Sequence, residues 1–308
     1  MRKHFLPGRT RGRLLVLVGL LLGLVLMWIS IKYEGINLGL RDVIAIMARK
    51  LELLARMRAN LLKSVDAEKS AVMADTDEAS RALAEDSRQA TDAVDRDRQE
   101  LGLLVEKDHT DQEVKLLQEF DGCWSELRQI DQSLLELAVK NTNIKAANLS
   151  FGEGSLAMKR FEEALMDLKR TRTASGKDGH IAELVCNALA AGFKIHYLHA
   201  PHIAAANNDQ MDKIEASIKE YNDVIQGSLR KLKPLVSEEK QASWRDANSA
   251  YHELARVTAE VIDLSRQNTN IKSFELSLGR KRKITAQCDE ILTSLQEAVR
   301  SKGFRATR

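Results

Sequence analysis

Apolar residues recur every three or four positions along most of the chain after residue 32, with charged residues between them. This spacing places the apolar side chains on one helix face and predicts amphipathic helices that pack against one another. In the C-terminal part, short polar turns separate four such helices, predicted at 178–205, 209–232, 237–267 and 270–303. Residues 66–100 are more polar, and we interpret them as a slender helix whose narrow inner stripe consists of Ala79, Leu83, Ser87, Ala90, Val94 and Leu101.

One short motif occurs twice. NTNIK begins at Asn141 and again at Asn268, a sequence separation of 127 (268 minus 141). A Trp precedes each copy, Trp124 at a separation of 17 (141 minus 124) and Trp244 at a separation of 24 (268 minus 244). The difference between these two spacings is one heptad, and an insertion of that length keeps the same helix face inward. The chain is therefore predicted to contain a duplicated helical unit.

The predicted fold is all-α. It consists of an N-terminal transmembrane helix, for which the reasons follow below, and of two up-down four-helix bundles, one for each copy of the repeated unit. Bundles of about 120 residues can each bury a core. Their order relative to one another, end to end or side by side, does not follow from the sequence. The predicted segments are a basic tail at 1–13, a transmembrane helix at 14–31, a first unit at 34–172, a linker at 173–177, a second unit at 178–303 and a tail at 304–308.

The NTN motif has a structural interpretation as a helix-to-helix turn. Asn tolerates the left-handed conformation that ends a helix, and it is also a good N-cap. Asn141 and Asn268 are therefore predicted to end one helix, and Asn143 and Asn270 to cap the next. The alternative is a continuous helix through NTN, with the turn at the later glycines Gly152 and Gly279.

A membrane-spanning segment is predicted near the N-terminus. The run Leu14–Ile31 contains no charged residue and is long enough to cross the apolar core of a bilayer as a helix. Arg2, Lys3, Arg9, Arg11 and Arg13 precede the segment, which places the N-terminus in the cytoplasm. We therefore predict a single-pass protein of a bacterial inner membrane, with its bulk in the periplasm. A cleaved signal peptide is the alternative, but no small-residue cleavage site follows the apolar run.

Gly19 and Gly23 form a GxxxG pattern inside this segment. Small residues at this spacing let two membrane helices approach closely, so they are a candidate homodimer contact. The alternative is that glycine is simply common in membrane helices.

Composition agrees with a helical, non-catalytic protein. Only 3 Pro and 16 Gly occur among the 308 residues, and such scarcity of helix breakers favours an all-α fold. The net charge is +3, of which residues 1–13 contribute +5, so the rest is near −2 (3 minus 5) and has no long basic patch for nucleic acid. Motifs for nucleotide binding, zinc proteases and serine hydrolases are missing from the sequence, so no enzymatic activity and no cofactor are predicted.

Three segments carry a resemblance to a known family: EKSAVMADTDEAS (68–80), LHAPHIAAANNDQMDKIEA (198–216) and LSRQNTNIKSFELSLGRKRK (264–283). They resemble the four-helix-bundle sensor module of methyl-accepting chemotaxis proteins, and with the membrane helix the resemblance covers roughly 14–308. It implies a role in signal transduction or chemotaxis, through a small ligand or a chemoreceptor or other signalling partner. Chemoreceptors continue into a second membrane helix and a cytoplasmic signalling coiled coil, whereas this sequence reaches Arg308 without them.

Few residues are candidates for binding chemistry. His196, His199 and His202 are spaced three apart, and the first two could ligate a metal from one helix face. Binding of another ligand such as haem, or proton sensing, is also open for the three histidines, although no CxxCH motif for covalent haem occurs. The alternative is that they flank the core and make ordinary polar contacts. The basic run GRKRK at 279–283 is interpreted as a solvated helix face.

Three cysteines, Cys123, Cys186 and Cys288, are far apart in the sequence. Buried free thiols are the expected state, and one disulfide plus one free thiol is the alternative in an oxidising compartment. Cys288 fits an apolar stripe formed by Phe274, Leu278, Cys288, Leu292, Leu295 and Val299.

These observations leave two functions. The first is a membrane-anchored periplasmic sensor that binds a small ligand or a receptor partner. The second is an envelope scaffold whose long helices only hold partners apart. A polar interior between the helices would favour the sensor, and a continuous apolar seam would favour the scaffold.

Overall fold

The structure, a computed structural model, describes residues 8–108, 110–170 and 178–306, and this part of the chain contains helices and no strand. The predicted all-α class is thereby confirmed. The α-helices are α1 (Gly8–Met73), α2 (Asp77–Asp108), α3 (Asp111–Ala138), α4 (Thr142–Leu149), α5 (Ser155–Lys169), α6 (Asp178–Ile203), α7 (Asn208–Leu232), α8 (Gln241–Gln267), α9 (Thr269–Leu276) and α10 (Arg282–Ala306). Wider π-helical segments, Ser150–Gly154 and Ser277–Lys281, join α4 to α5 and α9 to α10.

The two sequence repeats share one register of buried positions. Along α3 and α8 the buried residues match at a separation of 127. The matched pairs are Trp124 with Tyr251, Leu127 with Leu254, Asp131 with Thr258, Leu134 with Val261 and Ala138 with Ser265. The predicted equivalence of Trp124 and Trp244 is therefore wrong, and no heptad insertion is present, because Tyr251 takes the place of the first Trp.

The first two helices of each repeat match at a slightly larger separation. Thr76 accepts a hydrogen bond from the Ala79 amide at the start of α2, and Asn207 accepts one from the Gln210 amide at the start of α7. The sequence separation of these two N-caps is 131 (207 minus 76). At this separation the buried residues Leu53, Leu54, Met57, Leu61, Ser64, Glu68 and Ala71 of α1 match Leu184, Val185, Ala188, Gly192, Ile195, His199 and His202 of α6.

The chain forms two compact units, each assembled from non-contiguous segments. One contains residues 1–62, 90–124 and 286–308, and the other contains 63–89 and 125–285. The predicted domains 34–172 and 178–303 follow the sequence repeats and are continuous, whereas the compact units combine segments of both repeats. The predicted linker 173–177 lies outside the described residues.

The fourth helix of each repeat packs with helices of the other repeat. In one unit α5 of the first repeat shares an apolar core with α6, α7 and α8, and Phe161 and Leu165 are fully buried there. In the other unit α10 of the second repeat lies against α1 and α3, where Asp289 pairs with Arg58 at 2.8 Å and Cys288 bonds to Cys123. Each repeat therefore completes its bundle with a helix supplied by the other.

The disulfide between Cys123 and Cys288 corrects the expectation of free thiols. Cys186 is a free cysteine at the surface. Leu292, Leu295 and Val299 are buried as predicted for the stripe that includes Cys288, but Phe274 and Leu278 at its start are about half exposed, at 49% and 48%. The π-helical segment 277–281 explains this difference, because its wider turn rotates the residues before it relative to those after it.

The predicted membrane segment Leu14–Ile31 falls within α1. Within the residues that the structure describes, no helix is both long and apolar enough to span a bilayer. Gly19 and Gly23 lie outside the residues whose surroundings are described, so their dimer contact stays a prediction.

Candidate functional site

The two NTN motifs form turns with the same backbone conformation. Asn141 has a φ of 49° and Asn268 a φ of 54°, and they are the described non-glycine residues with positive φ. Asn268 directly follows the last residue of α8, whereas a turn at 139–140 separates Asn141 from the end of α3, and after each asparagine a new helix begins at the next residue. Gly152 and Gly279, the alternative turn positions, lie inside the π-helical segments instead.

The two turns bind each other through reciprocal hydrogen bonds. The Thr142 amide donates to the Thr269 hydroxyl oxygen at 3.2 Å, and the Thr269 amide donates to the Thr142 hydroxyl oxygen at 3.2 Å. In the same way the Asn143 amide donates to Asn270 Oδ1 at 3.1 Å, and the Asn270 amide donates to Asn143 Oδ1 at 3.2 Å. The paired turns have local two-fold symmetry.

The asparagine side chains therefore act differently from the predicted caps. Asn143 and Asn270 are the second residues of α4 and α9, and each accepts from the amide of the other turn rather than from its own helix. A free amide at a helix start needs an acceptor, and the partner turn supplies it. Asn143 Nδ2 also donates to Asn268 Oδ1 at 2.8 Å, and Asn270 Nδ2 to Asn141 Oδ1 at 3.0 Å.

The three histidines line α6 beside these turns, with different partners. His196 is half-buried, and its Nε2 lies 3.1 Å from the Ser150 carbonyl oxygen. His199 is buried between Ser150 and Thr258, with Nδ1 2.9 Å from the Ser150 hydroxyl and Nε2 3.0 Å from the Thr258 hydroxyl. His202 is buried as well. The rings of His196 and His199 meet edge to face, with centroids 5.5 Å apart.

His199 is neutral near physiological pH. Burial, together with the neighbouring His196 and His202, lowers the pKa of His199 to about 4. The Thr258 hydroxyl donates to the Leu254 carbonyl at 2.7 Å, so its oxygen is free to accept from His199 Nε2–H. Nδ1 then accepts from the Ser150 hydroxyl, which is the arrangement of a neutral imidazole.

His202 belongs to a network across α6, α7 and α8. Its Nδ1 lies 2.5 Å from the Ser265 hydroxyl and its Nε2 2.9 Å from Glu215 Oε1. Arg266 donates to the same Glu215 oxygen at 2.6 Å. These residues include a serine, a histidine and an acid, but Ser265 is 0% exposed and its hydroxyl donates to the Ile262 carbonyl, so no substrate reaches it.

These contacts leave the histidines little capacity for a metal. Among residues 8–108, 110–170 and 178–306, no group of three or more His, Cys, Asp or Glu side chains is placed to hold a metal ion. The ring nitrogens of His199 and His202 are committed to hydroxyl and carboxylate partners. Metal ligation by His196, His199 and His202 stays a hypothesis.

A second buried polar cluster was not predicted. Lys281, from the run interpreted as a solvated face, is only 1% exposed. Its ammonium lies 3.0 Å from Glu68 Oε2 and in direct contact with Asp131 Oδ1. The interpretation holds for Arg282 and Lys283, which are exposed, and fails for Lys281 because the π-helical segment turns that residue inward.

The repeat relation links this cluster to the histidines. At the separations of 127 and 131, Lys281 matches Gly154, Asp131 matches Thr258 and Glu68 matches His199. The network of His202, Glu215 and Ser265 correspondingly matches the alanines Ala71, Ala84 and Ala138. Comparing the repeats in this register would have identified both clusters as internal positions.

A cleft of about 530 Å³ opens between α5 and α8. Its charged lining consists of Arg160, Glu163, Asp167, Asp246 and Glu253. Asp167 is already bound by Lys240 and by the Ser243 hydroxyl, and these hydrogen bonds, that of Ser243 first, lower the pKa of its carboxyl. We assign no ligand to this cleft.

Comparison with known proteins agrees with this architecture. The sequence model of a family described as a four helix bundle sensory module for signal transduction matches residues 10–181. The crystal structure of the sensor domain of the V. parahaemolyticus histidine kinase sensor TorS superposes with a TM-score of 0.56 at 14% sequence identity. That match covers 83% of this chain and 99% of the TorS domain, and at this identity it indicates a shared fold. No curated protein sequence matches the chain.

Proposed function

Because this chain belongs to the four-helix-bundle sensory modules for signal transduction, we propose that it is a membrane-anchored sensor whose helical region lies in a bacterial periplasm. The apolar run Leu14–Ile31, preceded by basic residues, supports the anchor and its orientation. The disulfide between Cys123 and Cys288 supports the compartment, because disulfides persist in oxidising environments such as the periplasm.

The orientation can be tested with the one free surface thiol of the described residues, Cys186. A membrane-impermeant maleimide added to intact spheroplasts should label the full-length protein, and Cys186→Ala should abolish the labelling. Labelling only after lysis of the spheroplasts would place the helical region in the cytoplasm and refute the proposed location.

The polar interior is the observation that carries the sensing role. His199, His202 and Lys281 are each at most 1% exposed, and they interrupt the apolar stripes of their bundles. Buried polar and charged groups rarely add net stability compared with apolar residues of similar size, so a passive spacer gains nothing from them. A sensor does gain, because such networks have a small number of discrete arrangements that an external contact can favour.

The proposed mechanism is a small displacement of a helix that shifts a two-state equilibrium. The α4–α5 region is the best-placed element, because the Asn143 turn anchors its start while Phe161 and Leu165 of α5 lie in the core with α6, α7 and α8. A ligand or partner that binds one arrangement of these helices better than another would move α5. The output would pass to a chemoreceptor or another signalling protein, or to a second copy in a homodimer.

Ligand binding can be tested by a thermal-shift screen of the full chain in detergent against amino acids, organic acids and divalent metal ions. A ligand of the native state at a hundredfold excess over its dissociation constant stabilises by about 2.7 kcal/mol. A shift lost in His196→Ala but kept in the exposed control Asn187→Ala would assign the site to α6. If no ligand shifts the melting temperature and no signalling partner co-purifies, the scaffold is the better interpretation.

A further inference from the structure

Three charged side chains meet inside one compact unit. Glu68 of α1 is 0% exposed, Asp131 of α3 is 3% exposed, and Lys281 of the π-helical segment 277–281 is 1% exposed. Lys281 Nζ contacts both acids, Glu68 at 3.0 Å and Asp131 more closely. Such depth of burial is uncommon for charged groups, and it requires that their charges be compensated locally.

The charges of this cluster do not balance. If all three groups are ionised, two carboxylates face one ammonium, and the net charge is −1 (1 minus 2). Within the described residues, no donor forms a hydrogen bond of good geometry with the four carboxylate oxygens, so the ion pairs with Lys281 are their closest stabilising contacts. An uncompensated buried charge is avoided most readily by binding a proton.

The surrounding elements supply less positive charge to the two acids than Lys281 does. On α3, Arg128 is half-buried and lowers the pKa of Asp131 less than Lys281 does. The neighbouring Arg280 is exposed and pairs with Glu126 at 2.8 Å. Along the same stretch of α2 the buried residues are Ser80, Ala84, Ser87 and Ala90, which do not titrate.

We propose that Glu68 and Asp131 together hold one bound proton in the folded protein, at pH values where exposed carboxyl groups are ionised. The proton makes the cluster neutral, with one ammonium, one carboxylate and one carboxylic acid. Burial raises the pKa of Asp131, which makes it the better carrier. The proton site contains Lys281, one of the buried groups that support the proposed sensory function, but it is tested by unfolding and needs no signalling output.

The other repeat offers an internal comparison. The positions that match Lys281, Asp131 and Glu68 are Gly154, Thr258 and His199, and that site is neutral without an extra proton. Only the cluster of Lys281 therefore gains a negative charge when the pH rises above the pKa of the pair. The predicted consequence is a proton-dependent stability that comes from one of the two matched sites.

The test is denaturant unfolding of the full chain between pH 4 and pH 8, comparing wild type with Asp131→Asn. The folded state holds a proton that the unfolded state releases, because an unfolded Asp has a pKa of about 3.9. Between that value and the raised pKa, the unfolding equilibrium constant of wild type should increase about tenfold more per pH unit than that of Asp131→Asn. Glu68→Gln should remove the same excess slope, because the remaining carboxylate then pairs with Lys281.

A further variant, Lys281→Met, removes the ammonium instead of a carboxyl group. Without the ammonium, both carboxyl groups must be protonated to be buried, so the excess slope should approach about a hundredfold per pH unit. Glu126→Gln, which removes a half-buried acid of α3 that pairs with Arg280, is the control and should leave the slope unchanged. Equal slopes for wild type, Asp131→Asn and Glu68→Gln would overturn the proposal, as would a Lys281→Met slope no steeper than that of wild type.

Discussion

Removing one asparagine from the paired turns should destabilise the protein strongly. In Asn143→Ala, three hydrogen bonds disappear: Nδ2 to the Ile203 carbonyl at 2.9 Å, Nδ2 to Asn268 Oδ1 at 2.8 Å, and the Asn270 amide to Oδ1 at 3.2 Å. Each bond contributes about 1 kcal/mol, and groups left buried without a partner cost about 1–3 kcal/mol. Ala is the better helix former by about 0.5 kcal/mol. The three bonds less the propensity gain give a loss of about 2.5 kcal/mol, and each group left unpaired increases it.

The measurement is the denaturant midpoint of the full chain, with Asn187→Ala as the control at an exposed helix position. The control should change the free energy of unfolding by less than about 0.5 kcal/mol. Asn270→Ala should match Asn143→Ala, and the double variant should lose less than the sum, because the two side chains share one network. A loss below about 1 kcal/mol in both single variants would refute the inference that the turns hold each other.

Three further predictions follow from the exchanged helices and the buried histidine. Cleavage at a protease site inserted within 171–177, followed by reduction of the disulfide, should leave the two halves in one native complex. The reason is that α5 of the first half remains in the core with α6–α8 of the second half. Separation of the halves in native gel filtration would contradict this exchange of helices between the repeats. Cys123→Ala with Cys288→Ala opens a loop of 165 residues and should lower the free energy of unfolding by about 2–5 kcal/mol, whereas Cys186→Ala should not change it. The pKa of His199 is about 4 in the folded protein and about 6.5 in the unfolded chain. The contribution of His199 to the free energy of unfolding is therefore complete above pH 6.5 and is lost as the pH falls towards 4. This loss should amount to about 3 kcal/mol in wild type and should be missing in His199→Gln when unfolding is followed against pH.

Helix positions could be predicted from the sequence because apolar spacing is a local property. The residues Met211, Ile218 and Ile225 of α7 are buried as their spacing indicates. The end of α8 at Asn268 also agrees with the preference of asparagine for the left-handed conformation. Such features depend on residues within one or two turns of helix, so a single sequence contains them.

Features that depend on which helices meet could not be predicted in this way. The basic sequence neighbours of Lys281 indicate a solvated run, whereas its acidic partners are distant in the sequence, at separations of 213 (281 minus 68) and 150 (281 minus 131). The packing of α5 with the second repeat has the same cause, since periodicity identifies an apolar face but not the helix that covers it. The repeat register, with Tyr251 in the place of Trp124, indicates which positions are internal but not which helix covers them.

The reciprocal turns explain why one polar motif is preserved in both repeats while buried neighbours differ. The Thr142 and Asn143 side chains accept hydrogen bonds from the backbone amides of Thr269 and Asn270. The Thr269 and Asn270 side chains accept in the same way from the amides of Thr142 and Asn143. A change in one copy therefore removes partners from both turns, which strongly disfavours independent divergence. The matched cluster positions do not pair with each other as the two turns do, because Lys281 contacts Glu68 and Asp131 rather than its match Gly154, so one site can be ionic and the other neutral. The identical NTN turns are thus expected to fix how α4 and α9 cross. The clusters of Lys281 and of His199, which differ in charge, are expected to respond differently to protons and ligands.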